Sequence, residues 1–351
     1  MKPTSILCKA PGKLILSGEH AVLLGAPVLA TAVSLYATTT LTPYSLSDIC
    51  FDLINLKHKR AHTRQALHRL SARLQKDYQR FRLGEIGIRR VVQKPFELVE
   101  YTVSHFLDRF EEKRKTGVHI HHHSDIPVGC GMGSSAASII STNWALNQFY
   151  EKNLTLESML ALSLDAENLQ HGYSSGIDLF MATHGGTWLI DGAQHTPLSL
   201  SSKLPLFWVN TGTPQSSTGE CVACSKAYFA KHPDSIAQFR AVTEAMAHAL
   251  DSDHLQGLKQ AFWQNQDLLT LLGVVPLKIQ NFLALLKADN LAGKVCGAGS
   301  VAGERAGMLL LCGDQDLLTA HCQKEGWILN PLVIAKKGVE SQALSTPSHV
   351  P

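Results

Sequence analysis

The run VGCGMGSSAAS, residues 128–138, constrains the fold more than any other stretch of this chain. Gly129, Gly131 and Gly133 alternate with Cys130 and Met132, and Ser134 and Ser135 then lead into small, helix-compatible residues. Glycine adopts backbone conformations closed to other residues and lets a backbone approach a ligand closely. A glycine-rich turn that opens a helix presents unpaired N–H groups and the positive end of the helix dipole. That makes an anion site, most often for phosphate. The strand-like run before it and the helix-like run after it place this turn between a strand and a helix. Ser134 and Ser135 add hydroxyls able to reach a phosphate or a magnesium ion. A tight turn with no ligand has the same local signature, so other segments must decide.

Two further phosphate patterns do not account for it. The chain has no G-x-x-x-x-G-K-[ST], and GCGMGS lacks the third glycine of G-x-G-x-x-G. GAGSVA, residues 297–302, satisfies G-x-G-x-x-A. With no convincing strand before it, a dinucleotide oxidoreductase is a poor reading.

The chain of 351 residues has room for two domains, and at 45% hydrophobic and 17% charged it can build a sizeable core. A formal charge of +3 is too balanced to make nucleic acid a default partner. No stretch reaches the roughly 18 apolar residues that span a bilayer. The N-terminal MKPTSILCKAPGK lacks the apolar core of a signal peptide. These features lead to the expectation of a soluble, cytoplasmic protein without a membrane or nucleic-acid partner. Eight scattered cysteines then read as free thiols. Cys221 and Cys224 form a lone C-x-x-C, with no second pair at zinc-ligand spacing.

The first quarter reads as β-rich. Residues 56–90 turn basic and helical, ending near Gly84. Their charge is most simply a solvated face, with a role in drawing in an anionic substrate left open. In TGVHIHHHSDIPVG, Val118, Ile120 and His122 alternate with His119, His121 and His123, as in a strand. Strand neighbours face opposite sides, so these histidines do not all converge on one ion. Residues 134–150 read as a helix with Ala137, Ile140, Trp144 and Leu146 near one apolar face. Thr155 caps another running to His171, with Gly172 as its stop. GGTWLIDG reads as a strand. Beyond Leu200 come three helix-like runs, near 234–250, 253–272 and 276–289. Strand-like AGMLLLC, helical DQDLLTAHCQKEG and strand-like WILNPLVIA follow. That order suggests an α+β unit of split βαβ character. The expected domains are 1–199 and 200–351, and the tail SQALSTPSHVP reads as frayed.

Three segments in order are similar to the three motifs of the GHMP kinases. They are KAPGKLILSGEHAVLLGAPVLATAV (9–33), DIPVGCGMGSSAAS (125–138) and KVCGAGSVAGERAGMLLL (294–311). That superfamily phosphorylates small molecules: galactose, homoserine, mevalonate, phosphomevalonate. Within it, GEHAVLLG (18–25) and AENLQHGYSSGIDLFMATHGG (166–186) most resemble the mevalonate kinases. The fold this resemblance implies is α+β with two domains. The N-terminal one is like ribosomal protein S5 domain 2, and the C-terminal one is ferredoxin-like. The implied reaction transfers the γ-phosphoryl group of ATP, with Mg2+, to the primary hydroxyl of mevalonate, giving 5-phosphomevalonate for isoprenoid synthesis. A homodimer is also consistent with the resemblance.

The residue roles follow from the same match. ATP phosphates would lie over Gly129, Cys130, Gly131, Met132 and Gly133, with Ser134 on phosphate and Ser124 contacting the nucleotide just before the turn. Ser135 and Glu167 match the magnesium ligands, and both are hard oxygen donors suited to that ion. Asp178 matches the base that accepts the alcohol proton. Lys13 matches the lysine that pairs with this aspartate and neutralises charge on the transferring group. Glu19 and His20 match positions lining the substrate pocket, together with Lys13 and Asp178.

Two departures leave the acceptor open. After GAG, residues 300–306 read SVAGERA where the mevalonate kinases usually have a compact glycine run. Arg305 in that insertion could bind phosphate or substrate, or face solvent. In NTGTPQSSTGECV (210–222), Gly212 and Gln215 stand where those relatives carry basic residues, while Ser217 or Thr218 still offers the family's hydroxyl. Another GHMP kinase, acting on phosphomevalonate or a different alcohol, therefore stays open, as does a non-catalytic ligand sensor on the same fold.

Overall fold

A computed structural model describes residues 5–110, 117–201 and 203–344. The first half of the chain runs β1 (Ser5–Ser17), β2 (Val28–Tyr44), β3 (Ile49–Leu53), β4 (His58–His62), α1 (Arg64–Arg82), α2 (Glu97–Arg109), β5 (Gly117–Ser124), α3 (Ser134–Phe149), α4 (Leu156–His171), α5 (Ile177–His184), β6 (Thr187–Asp191) and β7 (Gln194–Leu198). The second runs β8 (Leu206–Asn210), α6 (Thr218–Lys231), α7 (Ser235–Asp251), α8 (Leu255–Leu271), α9 (Leu277–Ala288), β9 (Ala292–Cys296), β10 (Met308–Cys312), α10 (Gln315–Lys324), β11 (Leu329–Pro331) and β12 (Glu340–Leu344).

Two sheets organise these elements. The larger has the order β12-β1-β2-β5-β3-β4, with β6 joined to β2 and β7 to β6. The smaller has the order β11-β8-β10-β9, and its three pairings are all antiparallel. Numbered within that unit the order is 4-1-3-2, the split βαβ arrangement expected from the sequence. Four helices, α6 to α9, separate its first two strands. The strands of the two sheets come from either side of Leu200 with one exception. β12 returns to pair antiparallel with β1 from Ser5↔Leu344 to Lys9↔Glu340. The tail expected to fray is therefore a strand as far as Leu344, because the open edge of β1 offers it backbone partners. Residues 345–351 lie outside the described residues.

Local chemistry explains most boundaries. Thr155 Oγ1 accepts from Ser158 N at 3.2 Å, and Gly172 ends α4, as expected. The basic stretch departs from expectation at its start. HKRAH is a strand paired with β3, and the helix begins only at Arg64, where Thr63 Oγ1 accepts from Ala66 N. Within α1, Arg73 pairs with Glu97 and Asp77, and Arg80 with Asp77 and Glu85, so those charges have partners inside the protein. α3 is buried on nearly all sides, packed against β1, β2, α2, α4 and α5, rather than along one stripe.

β5 alternates as its sequence dictates. Val118, Ile120 and His122 are buried, while His121 is exposed. His122 Nδ1 lies 2.9 Å from Thr39 Oγ1 and Nε2 3.1 Å from Ser138 Oγ, tying the strand to β2 and α3. Burial pushes its pKa down to about 4, which keeps the ring neutral. All eight cysteines are free. Cys221 and Cys224 sit in α6 with their thiols against the Gly299 and Leu272 carbonyls. Among the described residues no helix is long and apolar enough to cross a membrane.

Candidate active site

β1 carries the first functional side chain into the middle of the larger sheet. Lys13 N donates to Met132 O at 2.9 Å, which fastens the strand to the glycine turn. Gly12 makes this approach feasible, because a Cβ there would stand 2.9 Å from the same carbonyl. Gly129, Gly131 and Gly133 have φ of 73°, 86° and 70°, a region that side chains with a Cβ disfavour. Cys130 and Met132 turn their side chains into the core. Gly129 and Gly131 stay exposed and Ser134 and Ser135 half-buried at the start of α3.

Beneath the last glycine lies an ion pair. Lys13 Nζ stands 3.1 Å from Asp178 Oδ1, in the first turn of α5. The lysine side chain is 8% exposed and the aspartate 29%, so the carboxylate is the member of the pair that another molecule can reach. A Cβ on Gly133 would come 3.0 Å from Lys13 Cγ and 3.6 Å from Asp178 Oδ2. Glycine at this position is thus a packing requirement of the pair as well as a backbone one.

Glu167, near the end of α4, is buried beside them. Its Oε2 accepts from Ser174 Oγ at 2.8 Å. Burial, followed by the neighbouring Asp178 charge, pushes its pKa up to about 8. Ser135 Oγ lies 3.0 Å from His171 Nε2. Burial lowers the pKa of His171 against the opposing pull of Asp178. A buried carboxylate that resists ionisation is a poor lone anion, and a divalent cation would reverse that preference. Glu167 and Ser135 are both oxygen donors. Mg2+ keeps several waters and substrate phosphates in its shell, so two protein donors suffice.

The GHMP kinases N terminal domain model matches residues 97–186, which hold the glycine turn, Glu167 and Asp178. The chain thus carries a GHMP kinase N-terminal domain over those residues. The chain is 29% identical to mevalonate kinase of Archaeoglobus fulgidus over 84% of its own length and 89% of that relative. It is 28% identical to mevalonate kinase of Bos taurus, over 87% and 86% of the two chains. Its fold superposes on the Methanococcus jannaschii mevalonate kinase structure with a TM-score of 0.75 at 20% identity, covering 98% of this chain and 100% of that one.

Glu19 and His20 occupy the turn after β1, and both are buried. Glu19 Oε1 pairs with Lys294 Nζ at 2.5 Å, a bridge from the first motif to β9. Lys294 is fully buried and also donates to Val295 O. His20 has φ of 62° and its Nε2 lies 3.1 Å from Ala298 O. Burial pushes its pKa down to about 4, so the neutral ring donates to that carbonyl through Nε2 and leaves Nδ1 as an acceptor. Glu19 Oε2 and His20 Nδ1 are buried without a partner, two acceptors the protein alone does not use. Lys294 and His171 were missed by sequence reasoning. A lysine opening an apolar run reads as solvated, and no motif marks a histidine closing a helix.

The remaining predicted residues fall in two places. Ser124, at the end of β5, is clamped through its backbone. Its N–H donates to Asn55 Oδ1 at 2.7 Å, and Asn55 Nδ2 donates to its carbonyl at 2.8 Å. Its hydroxyl accepts from Ile126 N at 3.2 Å. Ser217 is the N-cap of α6, where its hydroxyl accepts from Glu220 N and donates to Glu220 Oε2. That capping box occupies the hydroxyl expected to meet substrate. GAGSVA is preceded by a strand after all, β9, but no helix follows it before β10. A dinucleotide site needs that helix start, and this motif is instead a loop beside the glycine turn. A Cβ on its Gly297 would stand 3.9 Å from Gly131 Cα, and one on Gly307, just before β10, would stand 2.9 Å from Cys130 O.

Proposed function

We propose that this chain transfers the γ-phosphoryl group of ATP to the primary hydroxyl of mevalonate, giving ADP and 5-phosphomevalonate in the isoprenoid route. The observation that carries the reading is the Lys13–Asp178 pair lying directly beneath Gly133. It sets a reachable carboxylate and a nearly enclosed ammonium at the end of a phosphate-binding turn. The relatives named mevalonate kinase, similar over most of the chain, supply the acceptor.

The steps follow from the residues. Backbone N–H groups of residues 129–135 bind the phosphates. Asp178 accepts the proton of the acceptor hydroxyl as its oxygen forms a bond to phosphorus, and the bond to the ADP oxygen breaks. Lys13 balances the charge gathering on the transferring group and fixes the Asp178 carboxylate. Glu167 and Ser135 would hold Mg2+, which when bound neutralises phosphate charge. Glu19 Oε2 and His20 Nδ1, the two unused acceptors, suit hydroxyl groups of the alcohol. Mevalonate and ATP are the partners this reading requires. A homodimer and a cytoplasmic location belong to the same proposal and rest on the family resemblance.

A different acceptor is favoured by one observation. The uncharged Gly212 and Gln215 pack against the third-motif loop, in a region where the mevalonate kinases carry charge. ADP release with Mg-ATP, measured against mevalonate, phosphomevalonate, homoserine and galactose, separates the two readings. Turnover of mevalonate alone is expected. Silence on mevalonate with turnover of another alcohol would keep the kinase chemistry and overturn the acceptor. Nucleotide binding without turnover of any alcohol would point to a sensor.

A further inference from the structure

The two segments that depart from the family pattern meet in space. The stem of Arg305 lies over Gly212, where a Cβ would stand 2.7 Å from Cδ and 3.1 Å from Nε. Reciprocally, Gln215 lies over Gly303, whose Cβ would stand 2.6 Å from Oε1. Each loop thus supplies a bare glycine for the other's side chain. Further bonds lock them together. Ser216 N donates to the buried Ser300 Oγ at 3.1 Å, while Thr211 Oγ1 accepts from Ala306 N and donates to Gly307 O. The locked pair sits against the glycine turn. Thr213 Cγ2 is 3.5 Å from where a Gly129 Cβ would be.

Charge at this corner is scarce. Residues 128–138 and 210–218 contain no lysine or arginine. Lys13 is engaged by Asp178 at the opposite end of the turn. Neighbouring Glu304 is drawn toward Lys278 at 3.8 Å. Arg305 is exposed and makes no ion pair among the described residues. Its stem is held in place while its guanidinium stays free, as a phosphate clamp requires.

We infer that Arg305, seated on Gly212, binds the phosphate chain of the nucleotide at the Gly129 end of the turn. This rests on the proposed kinase reading but not on the identity of the acceptor. The test is calorimetric binding of ADP, ATP and adenosine to the full chain and its variants, with no acceptor present. Arg305→Gln is expected to weaken ADP and ATP about tenfold or more and leave adenosine within twofold. The fall in ADP affinity with rising salt should become shallower. Arg305→Lys should recover only part of the loss, since an ammonium cannot form the planar two-pronged contact. Gly212→Ala, which dislodges the stem, should weaken ADP in the same selective way. If that variant does not fold, the exposed Arg305→Gln still decides. ADP binding by Arg305→Gln within twofold of wild type would overturn the inference, as would an equal loss for adenosine. Normal ADP binding by wild type with no turnover of mevalonate would sink the acceptor and leave this inference standing.

Discussion

Glu19 and Lys294 form a fully buried ion pair across 275 residues of sequence, joining the turn after β1 to the third-motif strand β9. It connects the larger sheet to the smaller one at the point where Glu19 Oε2 and His20 Nδ1 await partners. A pair so enclosed is stabilising only while both charges remain.

Removing one partner should therefore cost more than removing both. Lys294→Met is expected to lose about 3–5 kcal/mol of folding stability, because it strands a buried carboxylate. Glu19→Gln with Lys294→Met should recover most of that loss and still lack normal acceptor affinity. Chemical denaturation gives the first comparison and the KM for acceptor the second. Equal stabilities for the single and double variants would refute the coupling.

Asp178→Asn keeps the shape of the pair and removes the proposed base. Turnover should fall by roughly 10²–10⁴-fold while ADP affinity stays close to wild type. Turnover within threefold of wild type would remove Asp178 from the role.

Gly133→Ala places a methyl group 3.0 Å from Lys13 Cγ at a φ of 70°. Both the strained backbone and the displaced lysine act on the same pair. We expect kcat to drop at least tenfold, with a modest stability loss of about 1 kcal/mol. Gly192, also at positive φ but with open space around it, is the control. Its alanine variant should share the stability loss and spare kcat.

As a proposed Mg2+ ligand, Glu167 would link metal binding to pH. Its folded pKa, about 8, lies above the ordinary 4.5, so between these values the folded chain holds a proton the unfolded chain has lost. Without metal, stability should fall as pH rises through that window, and Glu167→Gln should abolish this share of the slope. A metal must displace the same proton, so apparent Mg2+ affinity should rise by up to about tenfold per pH unit below 8. Thermal-shift titrations with Mg2+ at several pH values test this. An affinity flat with pH would contradict it.

His122 gives the opposite sign. Its folded pKa, about 4, lies below the ordinary 6.5, so the unfolded chain binds a proton that the folded chain refuses. Its contribution is complete above pH 6.5 and is lost as pH falls toward 4, up to about 2 kcal/mol by pH 5. His20 titrates in the same direction. Denaturation of His122→Gln at pH 7 and 5 should show a smaller acid loss than wild type. An unchanged loss would mean the ring does not carry it.

Much of the site was legible because it is made of local devices. The glycine turn declares its positive φ angles by residue type, Thr155 and Gly172 declare the ends of α4, and the alternation in VHIHHH declares which faces of β5 are buried. The misreadings share a different cause. HKRAH became β4 because β3 offered its edge, and the tail became β12 because β1 offered the other. In each case the deciding partner is not predictable from the segment itself.

By itself the sequence determined the glycine turn, the ends of α4, the alternation of β5 and the chemical types present, since backbone preference and side-chain chemistry act over a few residues. Only the tertiary structure decided which of those types meet. It set Lys13 against Asp178 under Gly133, enclosed Glu19 with Lys294, and laid Arg305 on Gly212. Those encounters depend on how two sheets and their loops pack, and packing sums contacts from residues far apart in the chain.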